Sequence, residues 1–234
     1  MNEDHGYRHQ VRLSGWVYAT QLALFRHLPE RWFRCQGIVF TVCATARGGP
    51  APADAPQPRW AGAADTDLLL AAGYQPDYLQ WQFARGARAA ILVHEGGIVG
   101  ASWYVAEAED EYPWLRVLLP RGHYWNWDAW IAVPHRRKGW GRVLMAFASR
   151  ELAALGATHI LNSIDVLNRP SRSAFAGAGH QETARLWFVR AGRNVLLGFA
   201  GGVSLHRVAR RQPLQLQSLE ERPGTLVLVR SARP

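Results

Sequence analysis

"VPHRRKGWGRVL", residues 133–144, sets three consecutive cations beside two glycines one residue apart, then turns apolar. The run leading into it, "HYWNWDAWIAV" at 123–133, is dense in aromatic and branched residues and predicts a central strand, which Pro134 ends. After the turn, Val143, Leu144, Phe147, Leu152 and Leu155 recur at helical spacing, and Gly156 closes the helix. The cationic turn therefore joins a buried strand to a helix N-terminus. There the first backbone N–H groups have no partner inside the helix and the macrodipole is positive, so an anion is stabilised. Gly139 and Gly141 lack a Cβ and let a ligand approach the backbone, while Arg136, Arg137 and Lys138 add charge. A merely solvated turn would account for the charge, but not for the glycines or for the strand-to-helix setting.

The 234 residues are enough for one domain with extensions, and the formal charge is +9. Lys138 is the only lysine, so arginine carries the surplus. Such a surplus suits phosphate-bearing partners; a compositional habit explains the choice of arginine but not the net charge. The cations are scattered and no recognition motif accompanies them, so no nucleic-acid partner is expected. Cys35 and Cys43 are too few for a disulfide framework and read as reduced core residues of a cytoplasmic protein. The start, "MNEDHGYRHQ", has no apolar h-region, and no window reaches the ~20 apolar residues of a membrane span. The histidines lack metal-binding spacing, and no metal is expected.

Outward from the turn, the chain divides into an N-terminal extension over 1–34, a main domain over 35–200 and a C-terminal extension over 201–234. Residues 14–28 have a broad apolar helical face next to "RWFR". That helix either covers its own domain, the favoured reading, or makes peripheral contact with a membrane. "CQGIVFTVCAT" (35–45) predicts a buried strand, 46–64 a mobile Pro/Ala loop, and 65–86 two short helices starting near Asp65 and Asp77. "RAAILVHE" and "IVGASWYVAEA" form a hairpin turning at Gly96 and Gly97. A polar-to-aromatic excursion over 108–122 follows. Beyond the long helix come "THILNSIDV" as a strand, a short helix with Asn168 as N-cap, and closing strands, with only "TLVLVR" ordered in the tail past 211. The sum is a mixed α/β layer fold in which the long helix bridges two parallel strands.

Two phosphate-loop patterns, G-x-x-x-x-G-K-[ST] and G-x-G-x-x-G, are absent from the turn. Arg-x-x-Gly-x-Gly is present from Arg136 to Gly141 after Val133-Pro134. It resembles the acyl-CoA pyrophosphate loop of the GNAT superfamily of N-acetyltransferases. Asn168, Ser171, Phe175, Gly179 and His180 match a second family pattern after the next strand, and the resemblance covers about residues 35–200. It implies a mixed, centrally splayed β-sheet flanked by helices, parting between the strand ending at Val133 and the strand over 158–166. It also implies acetyl-CoA as co-substrate. Main-chain groups of Ile131 and Val133 would meet the pantetheine, with an N–H near Ile131 facing the thioester oxygen. The segment Arg136, Arg137, Lys138, Gly139, Trp140, Gly141 and Arg142 would hold the pyrophosphate, and Asn168 and Phe175 would line the cofactor arm.

The implied reaction is direct attack of a primary amine on the thioester, which needs a base. Asp128 is the first candidate, with His123 and Glu107 behind it; the alternative is an Asp128 held by an arginine. Many relatives have a tyrosine at the Phe175 position as acid for the leaving thiolate. Phenylalanine cannot donate a proton, so water or Ser173 would serve instead. A rival reading is a catalytically degenerate module that binds CoA or a partner without turnover. The aromatic cluster Trp125, Trp127 and Trp130 reads as core rather than as a cage for a cation. The implied acceptor is a small-molecule or peptide amine, with its pocket shaped by the loop at 46–63 and the excursion at 108–122.

Overall fold

The computed structural model describes residues 33–45, 52, 54–199, 202–207, 213–219, 222–223 and 225–229. The predicted helix at 14–28 lies outside them. Two sheets and four α-helices are seen among the described residues. The larger sheet has nine strands in the order β11-β10-β9-β1-β8-β7-β4-β3-β2. Its members are β1 (Phe33–Ala44), β2 (Arg59–Trp60), β3 (Arg88–His94), β4 (Gly97–Ala106), β7 (His123–Ile131), β8 (His159–Asp165), β9 (Gln181–Ala191), β10 (Asn194–Phe199) and β11 (Gly202–Arg207). A second sheet, ordered β13-β12-β6-β5, joins β5 (Ala108–Tyr112) and β6 (Leu115–Leu118) to β12 (Leu214–Ser218) and β13 (Leu226–Val229).

Side chains that alternate along each strand divide the core between two faces. On one face α3 (Trp140–Ala154) buries Trp140, Leu144, Ala148 and Leu152 against Leu92, Tyr104 and Ile160. On the other, α1 (Thr66–Ala71), α2 (Pro76–Ala84) and the second sheet close over Phe40, Ile91, Trp103, Trp125, Leu161 and Phe188. Trp125 is wholly buried there, as expected of a core residue. α4 (Arg169–Gly177) follows β8, capped as predicted: Asn168 Oδ1 accepts from Ser171 N at 3.2 Å.

Several elements differ from the sequence reading. The β3–β4 turn is centred on Glu95 and Gly96, both left-handed (φ 50° and 79°), with His94 paired to Gly97. This is the two-residue geometry that fits strand twist, and it falls one residue earlier than the two glycines suggest. α2 starts at Pro76 with Gln75 as N-cap, leaving Asp77 inside its first turn. The expected loop at 46–64 contains β2, which pairs with β3 at the sheet edge. β1 lies between β8 and β9, antiparallel to both. Within 201–234 the described strands join the two sheets. β11 prolongs the large sheet, and β12 pairs in parallel with β6, burying Leu216 and Leu226 in the shared core. The 108–122 excursion contains a hairpin, β5 and β6, of the second sheet.

Candidate functional site

The parting of two strands defines the site. β7 and β8 pair in parallel from His123↔His159 to Asn126↔Asn162; the pairing stops there, although β7 runs on to Ile131 and β8 to Asp165. β7 stays with β4 and β8 stays with β1, so a V opens in the middle of the sheet. A bulge starts the divergence: Ala101 faces Trp130 and Trp103 faces Trp127, leaving Asp128 and Ala129 opposite Ser102 alone. Asp128 takes φ 49°, an uncommon conformation for a residue with a side chain.

Main-chain direction on β7 follows from one hydrogen bond. Ala132 N donates to Val99 O at 2.8 Å, so by strand alternation the N–H and C=O of Ile131 point the other way, into the V. The Ile131 carbonyl accepts from Arg136 Nε at 2.9 Å. The strand ends at Ile131, and Val133–His135 form a short 3-10 turn in which Val133 is exposed. Val133 therefore lies outside the strand that was expected to reach it.

The cationic turn folds tightly behind. Arg137 has φ 65° and Gly139 φ 80°, and Gly139 is the N-cap of α3 without any side-chain cap. A left-handed residue followed by a helical one curls successive N–H groups into a concavity suited to an anion. Arg142 N and Val143 N turn back to Gly139 O at 3.0 and 3.3 Å, leaving the amides of Trp140 and Gly141 as the forward donors. Arg136, Arg137, Lys138 and Arg142 are exposed around this point. Trp140 anchors the turn from below: buried, it stacks on His135 at 4.6 Å between ring centroids.

Between α3 and α4 on this face lies a cavity of about 270 Å³ that meets β7 at Asn126, where the V begins, and is lined by Arg142, Met145, Phe175, Cys43 and His180 among others. Asn126 donates to Ser102 Oγ (2.6 Å) and Trp103 O (3.0 Å), but its Oδ1 is buried without a hydrogen-bond partner. An acceptor of this kind on a cavity wall calls for an N–H donor. At the deep end Thr41 Oγ1 donates to Asn162 Oδ1 and lies 2.9 Å from His180 Nδ1, while Cys43 Sγ lies 3.1 Å from His180 Nε2. With Thr41 already donating, His180 Nδ1 carries the proton and Nε2 accepts from the thiol, the neutral form. Burial holds His180 down at about 4. Protonation is thus easier in the unfolded chain, and stability present above pH 6.5 is lost as pH falls toward 4. A thermal-shift series across that window should show a falling midpoint for the wild type and a flatter line for His180→Gln.

The opposite face of the V is carboxylate-bearing and aromatic. Asp128 accepts from the Tyr74 hydroxyl at 2.7 Å, and Trp130 Nε1 donates to the same phenol at 2.9 Å. The Asp128 side chain is therefore held by a tyrosine, not by an arginine. Burial of its surroundings raises it above the usual carboxylate range, and the Tyr74 bond opposes that shift. Tyr74 stacks on Tyr78, whose hydroxyl accepts from Trp127 Nε1 at 2.9 Å. The cation over Trp81 and Trp127 is the protein's own: the Arg85 guanidinium lies 4.2 and 4.9 Å from those rings and pairs with Glu109 at 2.6 Å.

Three sequence candidates fall elsewhere. His123 and Glu107 sit at the closed end of the V, His123 at the first β7–β8 pair and Glu107 in the β4–β5 turn (φ 71°). At ~3.3 Å per residue, His123 is ~26 Å from Ile131 along the strand. Ser173 is exposed and two residues from Phe175, which on a helix turns it away from the cavity that the buried Phe175 lines. Glu111, which sequence reasoning missed, lies half-buried over the β8 side of the V, where Ser163 Oγ donates to its Oε1 at 2.5 Å. Among the described residues no group of three His, Cys, Asp or Glu side chains is placed to hold a metal, and no helix is long and apolar enough to cross a membrane.

Residues 60–180, just over half of the chain, match the acetyltransferase (GNAT) family. No curated protein matches the chain. Among solved structures, a GCN5-related N-acetyltransferase from Sphaerobacter thermophilus superposes with a TM-score of 0.50 at 15% identity, over 74% of this chain and 55% of that one. A GCN5-related N-acetyltransferase from Kribbella flavida gives 0.46 at 18% identity, over 80% and 65%. The chain thus spans little more than half the length of the Sphaerobacter protein, and likeness at this identity speaks to the fold alone.

Proposed function

The chain belongs to the GNAT acetyltransferase family, and from that premise we propose that it transfers the acetyl group of acetyl-CoA to a primary amine by direct attack. The observation that carries this reading is the parting of β7 from β8 together with the uncapped amides of Trp140 and Gly141, Gly141 lying beside the Ile131 side chain at the open end of β7. Diphosphate fits those amides and the four exposed cations of Arg136, Arg137, Lys138 and Arg142. The pantetheine arm, an amide chain, fits the cavity in which Asn126 Oδ1 has no partner. Asn168 spends its Oδ1 on the α4 cap, so its amide nitrogen is the group that would meet the arm. Phe175 supplies an apolar wall there.

In this reading the Ile131 N–H, directed into the V, stabilises negative charge as it builds on the thioester oxygen. Asp128 serves on the other face, where its carboxylate attracts and orients the ammonium form of the acceptor, with Tyr74 fixing its rotamer. The leaving thiolate, with a pKa of ~8.5 for an ordinary thiol, departs without a protein acid near neutrality. Neither Phe175 nor the outward-facing Ser173 is a donor to it.

The absent acid at Phe175 favours a second reading, a module that binds CoA without turnover. Titration calorimetry with acetyl-CoA, followed by thiol release with tyramine, spermidine and a lysine peptide, separates the two. Saturable binding with thiol release on at least one amine is the expected result. Binding without release on any of them favours the module, and absence of binding removes both.

A further inference from the structure

Glu111 belongs to the hairpin inserted between β4 and β7, and its carboxylate reaches the large sheet at one point. Ser163 is the first residue of β8 past the last pair with β7, so it stands on the lip of the V. Its face is fixed by alternation: Leu161, two residues earlier, lies in the core under the second sheet, whereas Asn162 bonds Thr41 on the α3 side. The Ser163–Glu111 hydrogen bond thus holds a carboxylate over the V on the face opposite the cavity. Asp128 occupies the same face on the β7 lip. One lip carries Asp128, the other Glu111, and the gap between them opens toward Ile131.

We propose that Glu111 is the general base that takes the proton from the acceptor amine, while Asp128 binds the ammonium. This rests on the acetyltransferase reading above. An ammonium entering between the lips gives one proton to the Glu111 carboxylate. The freed nitrogen pair forms the C–N bond to the thioester carbonyl as the C–S bond breaks. The second proton lost from nitrogen balances the thiolate as thiol. Amide, CoA thiol and protonated Glu111 remain, and Glu111 returns its proton to solvent.

The surroundings of Glu111 suit this role. Desolvation pushes it up to about 7, the neighbouring Glu109 charge works in the same direction, and the Ser163 bond opposes both. The other charged groups around it are already engaged: Glu109 with Arg85, Asp110 with Arg116, and Asp165 with Gln36. On the β7 side Asp128 is the facing carboxylate, with Tyr74 and Tyr78 as neutral phenols whose own values are raised by burial. A base with this value is largely ionised above neutrality and matched to proton transfer there.

The test is Glu111→Gln beside Asp128→Asn, using whichever of the three amines gives thiol release. In the wild type, kcat should rise with pH and level off above about 7. Glu111→Gln should lower kcat by about 10²–10³-fold and erase that limb, with acetyl-CoA affinity by calorimetry unchanged within about twofold. Asp128→Asn should instead raise the amine KM and keep the limb. A Glu111→Gln enzyme with kcat within threefold of wild type and the same limb overturns the assignment. So does a parallel loss of acetyl-CoA affinity, which would make Glu111 a support of the cofactor site rather than the base for the amine. A wild type that binds acetyl-CoA but acetylates no amine removes the functional reading, and this role with it.

Discussion

Replacing Gly139 with valine should cost the protein at least 10²-fold in acetyl-CoA affinity, read by calorimetry, with the fold retained. Gly139 sits at φ 80°, where an L side chain is strained by ~1–2 kcal/mol, more if β-branched. A Cβ built there would also lie 3.1 Å from Pro52 Cγ. Relief comes from rotating the turn, which turns the Trp140 and Gly141 amides away from an incoming diphosphate. Hydrogen bonds to a charged group contribute about 1.5–3 kcal/mol each, so losing two accounts for the fall. Gly141→Ala is the informative companion. Gly141 is helical, and its added Cβ would meet only Ile131 Cγ1 at an ordinary 3.5 Å, so the fold accepts alanine. Reduced affinity in that variant with an unchanged melting temperature would locate the ligand at the turn. Normal affinity in Gly139→Val would remove the turn from the cofactor site.

The second large effect is expected far from the chemistry. Leu216 on β12 is fully buried and pairs with Val117 on β6, the strand that holds β5 and so Glu111. Leu216→Ala leaves a cavity between the sheets and should destabilise by about 2–5 kcal/mol, or about 5–15 °C in melting temperature. Below that transition the variant should bind acetyl-CoA normally, because the cofactor cavity is on the other face of the large sheet. Its kcat should fall, because the hairpin that positions Glu111 is loosened. A melting temperature within 2 °C of wild type would mean that the second sheet contributes little to the core.

What could be read from the sequence was local. The strand-to-helix turn, the long helix and the Asn168 cap each depend on residues within a few positions of one another, and each is found where the residues indicate. The second sheet was not legible, because β5 is a short polar run and β6 finds its parallel partner β12 about a hundred residues on. No periodicity within 108–122 announces that pairing. Glu111 was missed for the same reason: a carboxylate becomes a candidate base through what it faces, and the residue it faces is Ser163. Its only sequence trace is the Glu109/Glu111 spacing, which places both on one face of a strand. His123 and Glu107 were drawn in by residue type, and strand length separates them from the open end.

The position of β1 also bears on how the protein is made. Its neighbours in the sheet are β8 and β9, both synthesised long after it. At translation rates of about 5–20 residues per second, this apolar strand waits on the order of ten seconds for either partner. During that interval "GIVFTVC" emerges with its hydrogen-bonding edges open, and a ribosome-associated holdase would shield it from self-association.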